Sequence, residues 1–184
     1  MDSERPAVRW MWIDRVVELE PRERMVEVKI VSLAEEHMHD HFACEPERGL
    51  AADPVMPAAL VIEGMAQTAG VLVGHAVGFR EKVILAKVGR AELPSDARPG
   101  DTLRYTATVE RLDETGASTR GVVELLPPER RHGDPLAPAE SGRVDLLFAF
   151  IDRNRAGVAF PEHNFVFGEA FRTLLRTSGV SMPE

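Results

Sequence analysis

At 184 residues, with 44% hydrophobic and 28% charged side chains, the chain suits one core-forming domain with extensions. Its net charge, 22 − 30 = −8, repels phosphate backbones and argues against a nucleic-acid partner. A single cysteine, Cys44, excludes an internal disulfide. With no basic-then-apolar leader and no run of about 18 apolar residues, a cytoplasmic protein without membrane association is expected.

Residues 11–20 (MWIDRVVELE) and 25–33 (MVEVKIVSL) read as a strand pair around the turn Pro21-Arg22-Glu23-Arg24. In the second strand Val26, Val28 and Ile30 share one face, and Glu27 and Lys29 the other. Residues 34–53 are polar and irregular and predict a loop. Pro57 then opens a run of small apolar residues, 58–78, in which Ala favours a helix and Gly64, Gly70 and Gly74 weaken it. Such a run, apolar nearly all round, predicts a buried helix. It carries one acid, Glu63, and a buried carboxylate needs a partner or a task.

Strand signals resume at Val83–Val88, Thr102–Leu112, Ser118–Leu126 and Val144–Ile151, with turns at Pro99-Gly100-Asp101 and Asp113-Glu114-Thr115-Gly116. Residues 127–142 carry four prolines and predict a loop, and a short helix is expected over Gly168–Thr177. The expected architecture is α+β, with one helix embedded in an antiparallel sheet. Residues 1–153 form one expected domain with insertions at about 43–53 and 127–142, and 154–184 a C-terminal extension.

The segment His41-Phe42 … Pro54-Val55-Met56-Pro57-Ala58-Ala59-Leu60-Val61-Ile62-Glu63-Gly64-Met65-Ala66-Gln67 resembles the active-site signature of the 3-hydroxyacyl-acyl carrier protein dehydratase family. That signature reads His-Phe-Pro-Gly-x-Pro-x-Met-Pro-Gly-x-Leu-x-x-Glu-x-Met-x-Gln. Trp12-Ile13-Asp14-Arg15-Val16, Lys87-Val88-Gly89-Arg90-Ala91 and Arg98-Pro99-Gly100-Asp101 extend the likeness, which covers roughly residues 10–152.

The resemblance implies a hot-dog fold, a long central helix wrapped by an antiparallel β-sheet. It implies a homodimer, or a trimer of dimers, with each site at a subunit interface. There the His loop of one copy meets the helix Glu of the other. The implied reaction is reversible dehydration of 3-hydroxyacyl thioesters, on acyl carrier protein or coenzyme A, to trans-2-enoyl thioesters in fatty acid or related biosynthesis. No metal or organic cofactor is implied.

The chemistry suits the residues. His41, through its imidazole, is the expected base for the α-proton. Glu63 is the expected acid for the departing hydroxyl. The Ala58 N–H, at the positive end of the helix after Pro57, is the expected partner for charge on the thioester oxygen. Gln67, four residues on, is expected to orient Glu63, with Phe42 and Pro57 in support.

Three departures stand out. The 22-residue step from His41 to Glu63 exceeds the family's, and the excess lies between Phe42 and Pro54. Ala58 replaces a glycine. Glu92-Leu93-Pro94-Ser95-Asp96 stands where the family carries basic residues that dock the acidic carrier, although Arg80, Lys82, Arg90 and Arg98 are near.

On a strand His37, His39 and His41 would share a face with Asp40 close by, but no second ligand motif supports a metal site. His75 is expected in the core or at an interface, and Cys44 to be no nucleophile. The rival readings are a non-catalytic hot-dog subunit or acyl-thioester-binding module, and a hot-dog thioesterase.

Overall fold

A computed structural model describes residues 10–126, 128, 140–151, 164 and 166–181. Strand β1 (Arg15–Glu20) and strand β2 (Arg24–Ile30) form the first hairpin. Arg22, at φ 68°, makes its tight turn, and its guanidinium reaches across to the carbonyl of Ala76 at 2.9 Å. After a short helical turn, α1 (His37–Asp40), comes the long helix α2 (Ala58–Ala76). Four further strands follow: β3 (Val83–Glu92), β4 (Thr102–Asp113), β5 (Gly116–Leu126) and β6 (Glu140–Phe150). Helix α3 (Glu169–Thr177) closes the described chain.

The six strands form one antiparallel sheet in the order β1-β2-β4-β5-β6-β3. β3 thus leaves its sequence neighbour β4 and pairs with β6 at the far edge. Breaks in register between Leu85 and Lys87, Val88 and Arg90, and Val109 and Arg111 bend the sheet around α2, as bulges do. α2 packs against β2, β3, β4, β5 and β6. Its inner face buries Met65, Ala69 and Leu72 with Leu103, Tyr105, Val123 and Val144. Fully burying a Leu or Met side chain stabilises by about 1.5–3 kcal/mol, so this seam dominates the fold. The hot-dog arrangement expected from the sequence is the one observed.

α2 ends in a Schellman motif. Gly78, at φ 63°, lets its N–H meet His75 O at 3.0 Å while Phe79 N–H meets Gly74 O at 2.7 Å. Close packing explains two helix glycines: a Cβ at Gly64 would overlap Tyr105, and one at Gly74 would overlap the ring of Phe167. By length and composition α2 is apolar enough to cross a bilayer, which corrects the reading that no such stretch exists. Small and polar residues interrupt its apolar run without making it hydrophilic. Most of it is buried by the sheet, as befits a core helix.

Other expectations change. Residues 34–53 are not wholly irregular, since they contain α1 and a 3-10 turn at Pro46–Arg48. On a helical turn His37 and His39 no longer share the face a strand would give them. β3 runs on to Glu92, and β6 begins at Glu140, inside the stretch read as loop. Of that expected loop, residues 127 and 129–139 lie outside the described residues, as does the start of the C-terminal extension.

β2 buries Met25, Glu27 and Lys29 on one face and Val26 on the other, while Ile30 at its end is exposed. Glu27 is fully buried, and its oxygens make no well-formed hydrogen bond among the described residues. Burial pushes its carboxyl up to about 8, only partly offset by the Thr68 hydroxyl of α2. Lys29 is paired instead, with Asp14 at 3.3 Å and Glu35 at 2.5 Å. That network joins the lead into β1 to the loop that carries His41.

Candidate active site

Glu63 projects from the second turn of α2, partly buried. It lines a cavity of about 280 Å³ with Trp10, Ala66, Gln67 and Gly70, which Val83 and Leu85 of β3 and Phe148 of β6 wall from the sheet. The carboxylate is held by Gln67, whose amide nitrogen donates to Glu63 Oε1 at 3.0 Å. The Gln67 amide is itself oriented by backbone on both sides. Its Oε1 accepts from Trp12 N–H at 2.9 Å, and its Nε2 donates to Trp10 O at 2.9 Å. Gln67 thus sits one turn along α2 from Glu63 and in contact with it.

His41 follows α1 and is half-buried, with its N–H on His37 O at 3.0 Å. Its Nδ1 lies 2.9 Å from Val55 O. A carbonyl only accepts, so Nδ1 carries the proton and Nε2 presents a lone pair, the tautomer a base needs. Phe42 lies tilted against the imidazole at 4.2 Å between centroids, with its backbone at φ 58° and the residue 60% exposed. His41 is not among the residues lining the Glu63 cavity of the same copy.

Pro57 takes the N-cap position of α2, with no side chain capping the helix. The first N–H groups of a helix have no acceptor inside it, so the exposed Ala58 offers a donor at the positive end of the dipole. Pro57 O receives Leu60 N–H at 2.8 Å, which seats the first turn. Met56 N–H bonds Ala97 O at 2.9 Å and ties this entry to the turn before β4.

The inserted loop is self-contained. Glu45 and Leu50 exchange backbone hydrogen bonds at 3.0 and 3.1 Å around Pro46–Arg48, and Gly49 adopts φ 67°. Asp53 N–H returns to Phe42 O at 3.0 Å, so the loop leaves and rejoins the chain at one point. The Arg98 guanidinium grips the Asp53 carboxylate and holds it below the usual range. Cys44 is exposed within this loop, its thiol directed to Leu50 O.

Three of the four nearby cations are already engaged, and the fourth is buried. Arg98 pairs with Asp53, Arg90 with Glu92 at 2.5 Å, and Lys82 is buried. Arg80 bonds Val77 O at 3.2 Å. His75 is half-buried against Phe79, and burial lowers its basicity. Among the described residues no three His, Cys, Asp or Glu side chains converge as a metal would need.

Sequence reasoning missed the residues of the C-terminal extension at the cavity. Val166, Phe167 and Phe171 line it beside Glu63. The available signal was Phe167 and Phe171, four residues apart around a helix start.

The chain matches the FabA-like domain family over residues 6–124. It is 36% identical over 104 residues to a protein of Chloroflexus aggregans named 3-hydroxyacyl-[acyl-carrier-protein] dehydratase FabZ, covering 56% of this chain and 67% of that one. A protein of the same name from Solibacter usitatus is 34% identical over 118 residues, covering 63% and 67%.

Solved structures share the fold at low identity. The dehydratase heterocomplex ApeI:P of Xenorhabdus doucetiae gives a TM-score of 0.55 at 15% identity, covering 79% of this chain and 86% of that one. A thioesterase family protein of Silicibacter pomeroyi gives 0.52 at 13%, covering 75% and 85%. With the signature segment inside the matched span and the helix-in-sheet architecture in common, the chain belongs to the FabA-like domain family.

Proposed function

We propose that the protein dehydrates 3-hydroxyacyl thioesters, carried on acyl carrier protein or coenzyme A, to trans-2-enoyl thioesters in fatty acid or related acyl-chain biosynthesis. The carrying observation is Glu63 at an apolar cavity, held by a Gln67 amide that backbone fixes on both sides. The dehydratase names of its relatives support the same reading.

In this reaction His41 Nε2 takes the α-proton and the C–H pair becomes the new C=C bond. The β C–O bond breaks as Glu63 delivers its proton, so water leaves. Charge passing onto the thioester oxygen meets the Ala58 N–H and the helix dipole. His41 then releases its proton and Glu63 regains one, with no cofactor consumed.

The site is shared by two copies in this proposal. Support comes from the edge strand β3, which leaves Leu85 and Val88 exposed along a strand edge that is unpaired among the described residues. His41 of one copy then completes the Glu63 cavity of the other. A cytoplasmic setting suits a chain whose single thiol is exposed.

The test is hydration of crotonyl-coenzyme A and of crotonyl-acyl carrier protein by wild type, His41→Ala and Glu63→Gln. The expected loss in each variant is about 10²–10⁴-fold. A wild type that hydrates neither ester, or that releases free acid and thiol, overturns the proposal.

A further inference from the structure

The C-terminal extension forms the end wall of the Glu63 cavity. Phe167 is 3% exposed and enters the groove above Gly74, where only a hydrogen leaves room for its ring. It meets Phe79 edge-on at 5.0 Å and Phe171 at 6.0 Å. Phe167, Phe171 and Val166 face the same space as Glu63, Ala66 and Gly70. The family match ends at residue 124, so this wall lies outside the matched domain.

The segment is fastened on both sides of Phe167. Before it, the Asn164 side-chain nitrogen donates to Phe79 O and Glu81 O, each at 2.9 Å, and Asn164 Oδ1 accepts from Val166 N–H at 3.2 Å. After it, α3 buries Leu174 and Leu175 and ends in a Schellman motif. There Gly179, at φ 77°, bonds Arg176 O at 3.1 Å and Val180 bonds Leu175 O at 2.8 Å. Ser178 Oγ then accepts from Val16 N–H of β1 at 3.0 Å. A wall held at both ends presents rigid aromatic rings to whatever enters.

We propose that this strap sets acyl-chain length, with Phe167 and Phe171 as specificity-determining residues that stop the chain and favour short 3-hydroxyacyl thioesters. The inference rests on the dehydratase reading of Glu63 for its substrate class. The chemistry is steric: an apolar cavity lined by Val, Leu and Phe accepts methylenes until it meets an aromatic ring. Extra methylenes then force rings off their rotamers or remain in water. Removing a ring opens volume at the end away from the reacting carbons.

The test compares wild type with Phe171→Ala and Phe167→Ala, using 3-hydroxybutyryl and 3-hydroxydecanoyl thioesters of pantetheine. Phe171 is only half-buried, so its variant should fold even if Phe167→Ala does not. The expected result is a rise of about 10- to 100-fold in the decanoyl-to-butyryl ratio of kcat/KM. Equilibrium binding of butyryl- and decanoyl-pantetheine to the same proteins reads the strap without turnover. A shifted binding ratio in proteins that turn over nothing would remove the dehydratase reading and leave the strap standing. An unchanged binding ratio in Phe171→Ala, or no binding of either ester to any of the proteins, overturns the strap.

Discussion

The Gln67 amide joins Glu63 to the strand lead-in: its nitrogen lies 3.0 Å from Glu63 Oε1 and its oxygen 2.9 Å from Trp12 N. One side chain thereby ties an acidic group on α2 to a backbone that cannot move without disturbing β1. Replacing it should affect rate and stability by separate routes. In Gln67→Met the shape is kept, but Trp12 N–H loses its acceptor and Glu63 its donor. Stability should fall by about 1–3 kcal/mol in chemical denaturation. The kcat should fall about 10- to 100-fold with KM nearly unchanged, since orientation and not binding is lost. An unaltered kcat in a folded Gln67→Met protein would remove Gln67 from the site.

The inserted loop should be dispensable for folding and for turnover. Its ends meet at Phe42 O and Asp53 N, 3.0 Å apart, and its residues are exposed. Replacing residues 44–52 by two glycines should leave kcat/KM within about tenfold and the unfolding midpoint little changed, because shortening a surface loop alters closure entropy only slightly. A large loss of activity in a protein that still folds would show that the loop contacts substrate or its carrier.

Glu27 makes stability depend on pH. Burial raises its folded-state value to about 8 from an ordinary 4.5. Between these limits the folded chain keeps a proton that the unfolded chain releases. Its contribution is fully present below 4.5 and is lost as pH rises toward and through about 8. The slope approaches about 1.4 kcal/mol per pH unit. Glu27→Gln should remove that slope, so its stability relative to wild type should climb with pH in denaturant titrations. His37 and His75, whose basicity burial lowers, act in the opposite sense: they remove stability as pH falls. The difference between wild type and Glu27→Gln isolates the carboxyl, and a difference independent of pH would contradict its buried, protonated state.

Much of this architecture is legible in the sequence. Pro57 and the small apolar run that follows mark α2, and period-two patterns mark the strands, because these signals are local. The placement of β3 beside β6 is not local, and no pattern within either strand reveals it. In β2, alternation shows which residues share a face but not which face is inside. Val26 is buried on one face, and the charged face is buried too, where Lys29 meets carboxylates and burial raises the Glu27 carboxyl. Gly64 and Gly74 read as helix-weakening, and their purpose appears only when Tyr105 and Phe167 fill the space. Gln67 was legible by its spacing from Glu63, whereas its two backbone partners needed the fold. The aromatic wall escaped notice since it joins a distant segment to the cavity.

The shared site is the central claim, and mixing two inactive variants tests it most directly. His41→Ala and Glu63→Gln each lack one half of every site, whether that site lies within a copy or between copies. Co-refolded in equal amounts, half of the dimers are mixed. If His41 serves the partner's Glu63, each mixed dimer holds one intact site, and crotonyl-coenzyme A hydration should recover to about a quarter of the wild-type rate. If both residues act within one copy, each copy stays defective and mixing restores nothing. Recovery to about a quarter is the predicted result. No recovery, in a sample shown to contain mixed dimers, would contradict a site built by two subunits.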